Sequence, residues 1–92
     1  MRFEWDPEKA ALNLEVHNIA LGDATQIFDG PTLEVADTRA DYGEDRFIAI
    51  GSMFGREIVV VYTPRGDDLI RLISARKANR HERQAYWESL GE

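Results

Sequence analysis

The sequence predicts an α+β fold: two N-terminal helices, an antiparallel sheet of about four strands and a C-terminal helix. Three observations predict it. First, segments 46–51, 57–63 and 69–75 are rich in β-branched and aromatic residues. Second, the connections between them, 52–56 and 64–68, are of hairpin length, which gives an antiparallel meander. Third, segments with helix-start signals precede and follow this block. The chain has 92 residues, 43% of them hydrophobic, which makes residues 1–92 one domain with a modest core.

The elements follow in order. Phe3-Glu4-Trp5 alternates and suits a short strand. Asp6-Pro7 then starts a helix: Asp6 can cap free amides, and Pro7 suits the first helical position because its missing N–H had no partner there. Trp5 and Ala10 have the spacing of a hydrophobic staple. This helix runs to about Val16, presents Ala11, Leu12, Leu14 and Val16, and ends where Asn18 can turn left-handed. A second short helix fits Leu21 to Phe28, with Ala24, Ile27 and Phe28 inward, and Asp29-Gly30-Pro31 stops it. Residues 32–36 read as a strand and the polar stretch 37–45 as a loop. In segment 57–63, Val59-Val60-Val61 is apolar on both faces, the pattern of a central covered strand. Asn79-Arg80-His81-Glu82 has the form of a capping box, followed by Ala85, Tyr86 and Leu90 at helical spacing.

Composition excludes several function classes. There is no apolar run of about 18 residues to span a membrane, and the first residues lack an apolar leader core. The absence of cysteine excludes disulfides and thiolate metal sites and fits a reducing cytoplasm. His17 and His81 are too far apart in sequence for a zinc-type spacing, so no metal or cofactor is expected. The net charge is −6, but it is unevenly spread. Residues 1–45 carry three basic and eleven acidic side chains, whereas residues 46–92 carry eight basic and six acidic. Arg71, Arg76, Lys77, Arg80 and Arg83 crowd into thirteen residues with one acid, Glu82. At physiological salt the screening length is about 8 Å, so a ligand feels this patch more than the total.

The patch joins a strand to a capped helix start, where free amides already favour an anion. It reads either as a phosphate-backbone site or as a solvated helix face paired with Glu82 and Glu88. Arg71 lies inside Leu69-Ile70-Arg71-Leu72-Ile73, where charge needs water or a partner. Either it points to an open face as a ligand contact, or it pairs with a carboxylate such as Glu44 or Glu57. Glu44 is a general base or an ion-pair partner. His17 closes the first helix and suits its C-terminal dipole. Tyr62 and Tyr86 read as packing residues, and Trp5 and Trp87 as core or interface. No phosphate loop and no nucleophile elbow is present.

The blocks Phe3-Glu4-Trp5-Asp6-Pro7, Lys9, Asn13, His17, Phe28-Asp29, Gly43-Glu44-Asp45-Arg46-Phe47, Ile50-Gly51, Arg71-Leu72-Ile73-Ser74-Ala75-Arg76-Lys77-Ala78, Glu82-Arg83 and Tyr86 stand in an order that closely resembles the BrnT toxins. The resemblance covers almost the whole chain, and Ile-Ser-Ala-Arg-Lys-Ala is its most specific part. It implies a RelE-like fold, RNA cleavage that arrests translation, and a BrnA-like antitoxin that neutralises the toxin in a hetero-oligomeric complex. DNA would be touched only indirectly, through the antitoxin. It carries over a site of Arg71, Arg76, Lys77, Glu44 and His17 for chemistry, with Arg46, Ser74, Arg80 and Arg83 for RNA binding. Two departures stand out. Val16-His17-Asn18 replaces the usual Lys-His-Gly, and Arg80-His81 stands where many relatives carry two basic residues.

The expected function is a metal-independent endoribonuclease, because the 2′-hydroxyl of RNA can itself be the nucleophile and an Arg/Lys-rich site can stabilise the developing charge. The alternative is a non-catalytic corepressor module that binds an antitoxin through the same surface. A third reading is a housekeeping RNA-binding protein.

Overall fold

Local caps set the helix boundaries in the computed structural model, which describes residues 1–91. After strand β1 (Arg2–Glu4), Asp6 accepts from the Glu8 amide at 2.9 Å and Pro7 opens helix α1 (Pro7–His17). Asn18, at φ 59°, closes it with its amide on the Leu14 carbonyl. Helix α2 (Leu21–Ala24) is shorter than the expected Leu21–Phe28 segment. The Thr25 hydroxyl donates to the Gly22 carbonyl at 2.7 Å, and Thr25–Asp29 tighten into a 3₁₀ turn. A hydroxyl that bonds back to a helix carbonyl competes with continuation of the helix.

Four strands follow: β2 (Leu33–Ala36), β3 (Phe47–Met53), β4 (Arg56–Pro64) and β5 (Leu69–Lys77). The β3–β4 hairpin turns on Phe54 at φ 50° and Gly55 at φ 76°. Two left-handed residues make the turn whose twist matches the strands. The chain ends in helix α3 (Arg80–Ser89). Asn79 accepts from the Glu82 amide and Glu82 accepts from the Asn79 amide, both at 2.8 Å, which completes the expected capping box.

The sheet has five strands rather than about four, in the order β1-β5-β4-β3-β2, and it is mixed. β1 pairs parallel to β5, and the other three pairings are antiparallel. A parallel neighbour needs a long crossover, here most of the chain, and so no local pattern announces it. β4 lies at the centre, and Val59, Val60 and Val61 are all buried, as their doubly apolar pattern requires.

The two faces carry separate cores. Ala49, Ile58, Val60, Leu72 and Ala75 meet Ile19, Leu21, Ala24 and Ile27 on the face covered by α2 and the 3₁₀ turn. Ile50 and Val59 meet Tyr86 and Ala78 on the face covered by α3. α1 docks differently. Its one buried residue is Asn13, while Leu12, Leu14 and Val16 are exposed. The Asn13 carboxamide donates to the Ile19 and Ala75 carbonyls at 2.9 and 3.0 Å and accepts from the Ala75 amide at 3.0 Å. β1 reaches only as far as Arg71, so this side chain takes the place of a strand partner for Ala75.

Candidate functional site

The face that carries α3 is covered over only part of its length. The register places Asp37, Arg46, Thr63, Arg71 and Glu4 across one end of this face. Val35, Ile48, Val61 and Ser74 cross the middle, and Leu33, Ile50, Val59 and Arg76 lie beneath the end that α3 covers. Val35 is 55% exposed and Ile48 and Ser74 are half-buried, so the middle row is open at its ends, while Val61 between them is buried. The result is an apolar strip with a hydroxyl, Ser74, bordered by guanidinium groups.

Each guanidinium has an anchor. Arg71 donates to Glu4 at 2.5 Å, across the parallel β1–β5 pairing. This partner differs from the Glu44 or Glu57 suggested by sequence, and Glu57 instead accepts from the Trp87 indole at 2.9 Å. Arg76 donates to both oxygens of Glu82 at 2.8 Å. The hydrogen bond from Arg76 holds the Glu82 carboxyl below its ordinary pKa, and desolvation opposes it. The same contact raises the pKa of Arg76. Arg46 lies 4.0 Å over the Tyr42 ring and 3.7 Å from Glu44. Its Nε is buried without a hydrogen-bond partner. A planar guanidinium on an aromatic face gains from the ring quadrupole.

The remaining expected residues do not converge on this strip. Lys77 and Arg83 line a cleft with Arg56 and Glu57, where Arg83 donates to the Ala78 carbonyl at 2.9 Å. Arg80 lies beside His81 and Gln84 on α3. His17 lies in a groove between α1 and β5 with Lys9, Leu12, Val16, Ile73 and Ser74. Ser74 thus borders both the groove and the partly open strip. Among the described residues no group of His, Cys, Asp and Glu side chains is arranged to hold a metal ion.

Sequence reasoning passed over Asp37 and Arg39. The Asp37 carboxylate is wholly shielded from solvent and accepts from Arg39 Nε at 2.8 Å and Nη2 at 2.7 Å. It also accepts from the Arg39 amide at 3.2 Å. The Arg39 hydrogen bonds bring its pKa down to about 2, against desolvation that raises it. The two guanidinium bonds and the amide bond together outweigh the desolvation. The local signal was present: an Asp that accepts from the amide two residues on is an Asx turn.

Tyr62 and Tyr86 serve packing while their hydroxyls find partners. Tyr62 packs edge-on to Phe28 and stacks on Phe47, and its hydroxyl donates to Glu34. Burial, with the Glu34 bond second, raises its pKa well above the phenol value. Tyr86 donates to the Pro31 carbonyl at 3.0 Å from a fully buried ring.

Comparison with known proteins bears on what this face does. A family model described as the ribonuclease toxin BrnT of type II toxin–antitoxin systems matches residues 5–82. The crystal structure of the Brucella abortus ribonuclease toxin BrnT superposes with a TM-score of 0.66 at 28% identity, covering 87% of this chain and 99% of that one. No curated protein sequence matches significantly. No helix among the described residues is long and apolar enough to cross a membrane. The family match spans most of the chain and includes Val35, Ile48, Val61 and Ser74 with the arginines that border them, and the fold of the Brucella protein agrees with it. The chain belongs to the BrnT family of ribonuclease toxins of type II toxin–antitoxin systems.

Proposed function

We propose that this chain is a metal-independent endoribonuclease of RelE-like type, acting in the cytoplasm to inhibit translation. The observation that carries the reading is the partly open row of Val35, Ile48, Val61 and Ser74 bordered by Arg71, Arg76 and Arg46, with Glu44 beside Arg46. Arg71 and Arg76 hold the scissile phosphate, and the apolar strip takes a base. The 2′-oxygen attacks phosphorus and the bond to the 5′-oxygen breaks. Glu44 accepts the 2′-hydroxyl proton, the 5′-oxygen takes up a proton, and the guanidinium groups meet the charge that builds on the phosphoryl oxygens. His17, reached past Ser74, is a second proton-transfer group. Lys77, Arg80 and Arg83, away from the strip, extend the contacts with the RNA backbone. A BrnA-like antitoxin neutralises the chain in a hetero-oligomer by covering the strip with carboxylates, and contacts DNA itself.

One observation favours a second reading, a non-catalytic corepressor module. Arg71 and Arg76 already hold carboxylates of their own chain, Glu4 and Glu82. The two readings part in a translation extract containing EDTA. The enzyme cleaves mRNA there, and Arg76→Gln loses cleavage while staying folded. Intact mRNA at a dose that arrests growth contradicts the enzyme.

A further inference from the structure

We propose that Arg39 is a phosphate-holding residue of this same face, positioned by Asp37, and that it clasps a backbone phosphate of single-stranded RNA. The proposal takes its ligand from the ribonuclease reading above, and its residues from the loop that joins β2 to β3.

Asp37 follows β2 directly, and its amide donates to the Arg46 carbonyl at 2.8 Å, so its backbone continues the strand pairing. Its side chain is 0% exposed, whereas that of Arg39 is 65% exposed. A wholly shielded carboxylate therefore grips an outward guanidinium through two parallel bonds. That geometry fixes a plane and a direction. Arg39 has five N–H donors and spends its Nε and one Nη2 proton on Asp37, which leaves Nη1 free to meet a ligand. A pair so exposed on one side contributes little to stability. What it supplies is orientation.

Arg76 is gripped in the same way. Glu82 takes both of its terminal nitrogens and is itself fixed by the Asn79 amide at 2.8 Å. The register sets Asp37 in the row of Arg46 and Arg71, and Arg76 two rows along the same face. Two cations are thus held on one face, each by a separately anchored carboxylate. The loop that carries Arg39 is ordered by further contacts. Tyr42 carries the Arg46 guanidinium on its ring at 4.0 Å, and the Gly43 amide donates to Asp41 Oδ1 at 3.0 Å. The exposed Val35, two residues before Asp37, offers an apolar surface to a base beside the clasped phosphate.

The test uses the full chain and a fluorescent 2′-O-methyl oligoribonucleotide, which lacks the nucleophile and stays intact. Binding is followed by anisotropy across a salt series. Arg39→Gln should weaken binding roughly tenfold, as the loss of a charge-assisted contact does. It should also lower the slope of log affinity against log salt by roughly 0.7, the value for one phosphate of a single strand. Asp37→Asn should weaken binding too, but add nothing in the Arg39→Gln background, because it acts through that residue. Arg65→Gln, on the β4–β5 turn, serves as a control that leaves binding unchanged. Melting curves confirm that each variant is folded.

Wild-type affinity and salt slope in a folded Arg39→Gln variant overturn the clasp, as does a wild-type chain that does not bind the oligonucleotide. An Asp37→Asn variant that is less stable but binds normally removes the positioning role. Cleavage of unmodified RNA, measured in parallel, separates the two claims. A wild-type chain that binds without cutting defeats the ribonuclease reading and leaves the clasp intact. A chain that cuts, with Arg39→Gln indistinguishable from it, leaves the reading intact and defeats the clasp.

Discussion

Asn13 in α1 exchanges two hydrogen bonds with the backbone of Ala75 in β5, at 3.0 Å each way, and so completes the edge of a strand that β1 leaves unpaired. The first helix is therefore held to the sheet by a carboxamide, while its apolar residues Leu12, Leu14 and Val16 face solvent. Asn13→Ala leaves a buried amide and two buried carbonyls without partners. It should cost roughly 2–3 kcal/mol in denaturant unfolding. Leu12→Ala and Val16→Ala should each stay within about 0.5 kcal/mol of wild type. A larger loss for Leu12→Ala than for Asn13→Ala would contradict this account of α1.

Gly51 makes a second stability prediction. A methyl group on Gly51 in β3 would sit 2.6 Å from Ile27 Cβ and 3.3 Å from Thr32 Cγ2. The 3₁₀ turn thus lies directly on the strand. Gly51→Ala should destabilise by roughly 1–3 kcal/mol, the usual cost of overpacking. Because the clash is with Cβ of Ile27, Ile27→Ala cannot remove it. A double variant should therefore be less stable than either single one, measured by thermal unfolding.

The capping residues, the three strands of the meander and the hairpin connection at 52–56 were legible in the sequence because each is encoded within a few neighbouring residues. Asp6 reaches Glu8, and Asn79 and Glu82 reach each other. The contacts that assemble the face were not legible. Glu4 and Arg71 are 67 residues apart, and Asn13 and Ala75 are 62 apart. Nothing local to Arg71 distinguishes Glu4 from Glu44 or Glu57 as its partner. The parallel pairing of β1 decides it. The exposed stripe on α1 was misleading for the same reason, since helical spacing records apolar residues and not what covers them. The basic cluster from Arg71 to Arg83 is continuous in sequence but divides in space, because alternate strand residues point to opposite faces. Arg76 and Lys77 accordingly part company.

Acid should weaken the fold through Glu82. Its folded pKa lies below the ordinary 4.5, chiefly because Arg76 bonds to the carboxylate. A lowered folded pKa gives stability that is present above the unfolded value and is lost as pH falls through the folded one. Unfolding free energy should therefore decline below about pH 4.5, and Glu82→Gln should flatten that decline. Asp37, brought down to about 2, adds a further loss at lower pH in the same direction. A decline of unchanged steepness in Glu82→Gln would contradict the assignment.

Glu4 competes with RNA for Arg71 if Arg71 holds phosphate. Glu4 and Arg71 are each about one-third exposed, at 34% and 36%. Glu4→Gln should thus change stability by no more than about 1 kcal/mol. It should tighten RNA binding several-fold, whereas Arg71→Gln should weaken it. Weaker binding in Glu4→Gln would show that the pair acts as a unit and that Arg71 is not a free ligand contact.

The chemistry proposed for this face is tested most directly by the nucleotide it needs. Purified chain should be given, in EDTA, an RNA that it cleaves, and the same RNA with a single 2′-deoxynucleotide at the cleaved position. The account predicts that the unmodified RNA is cut to fragments ending in a 2′,3′-cyclic phosphate and a 5′-hydroxyl, and that the substituted RNA resists at that position. Cleavage of the 2′-deoxy substrate at the same rate, or a requirement for added divalent metal, would contradict it.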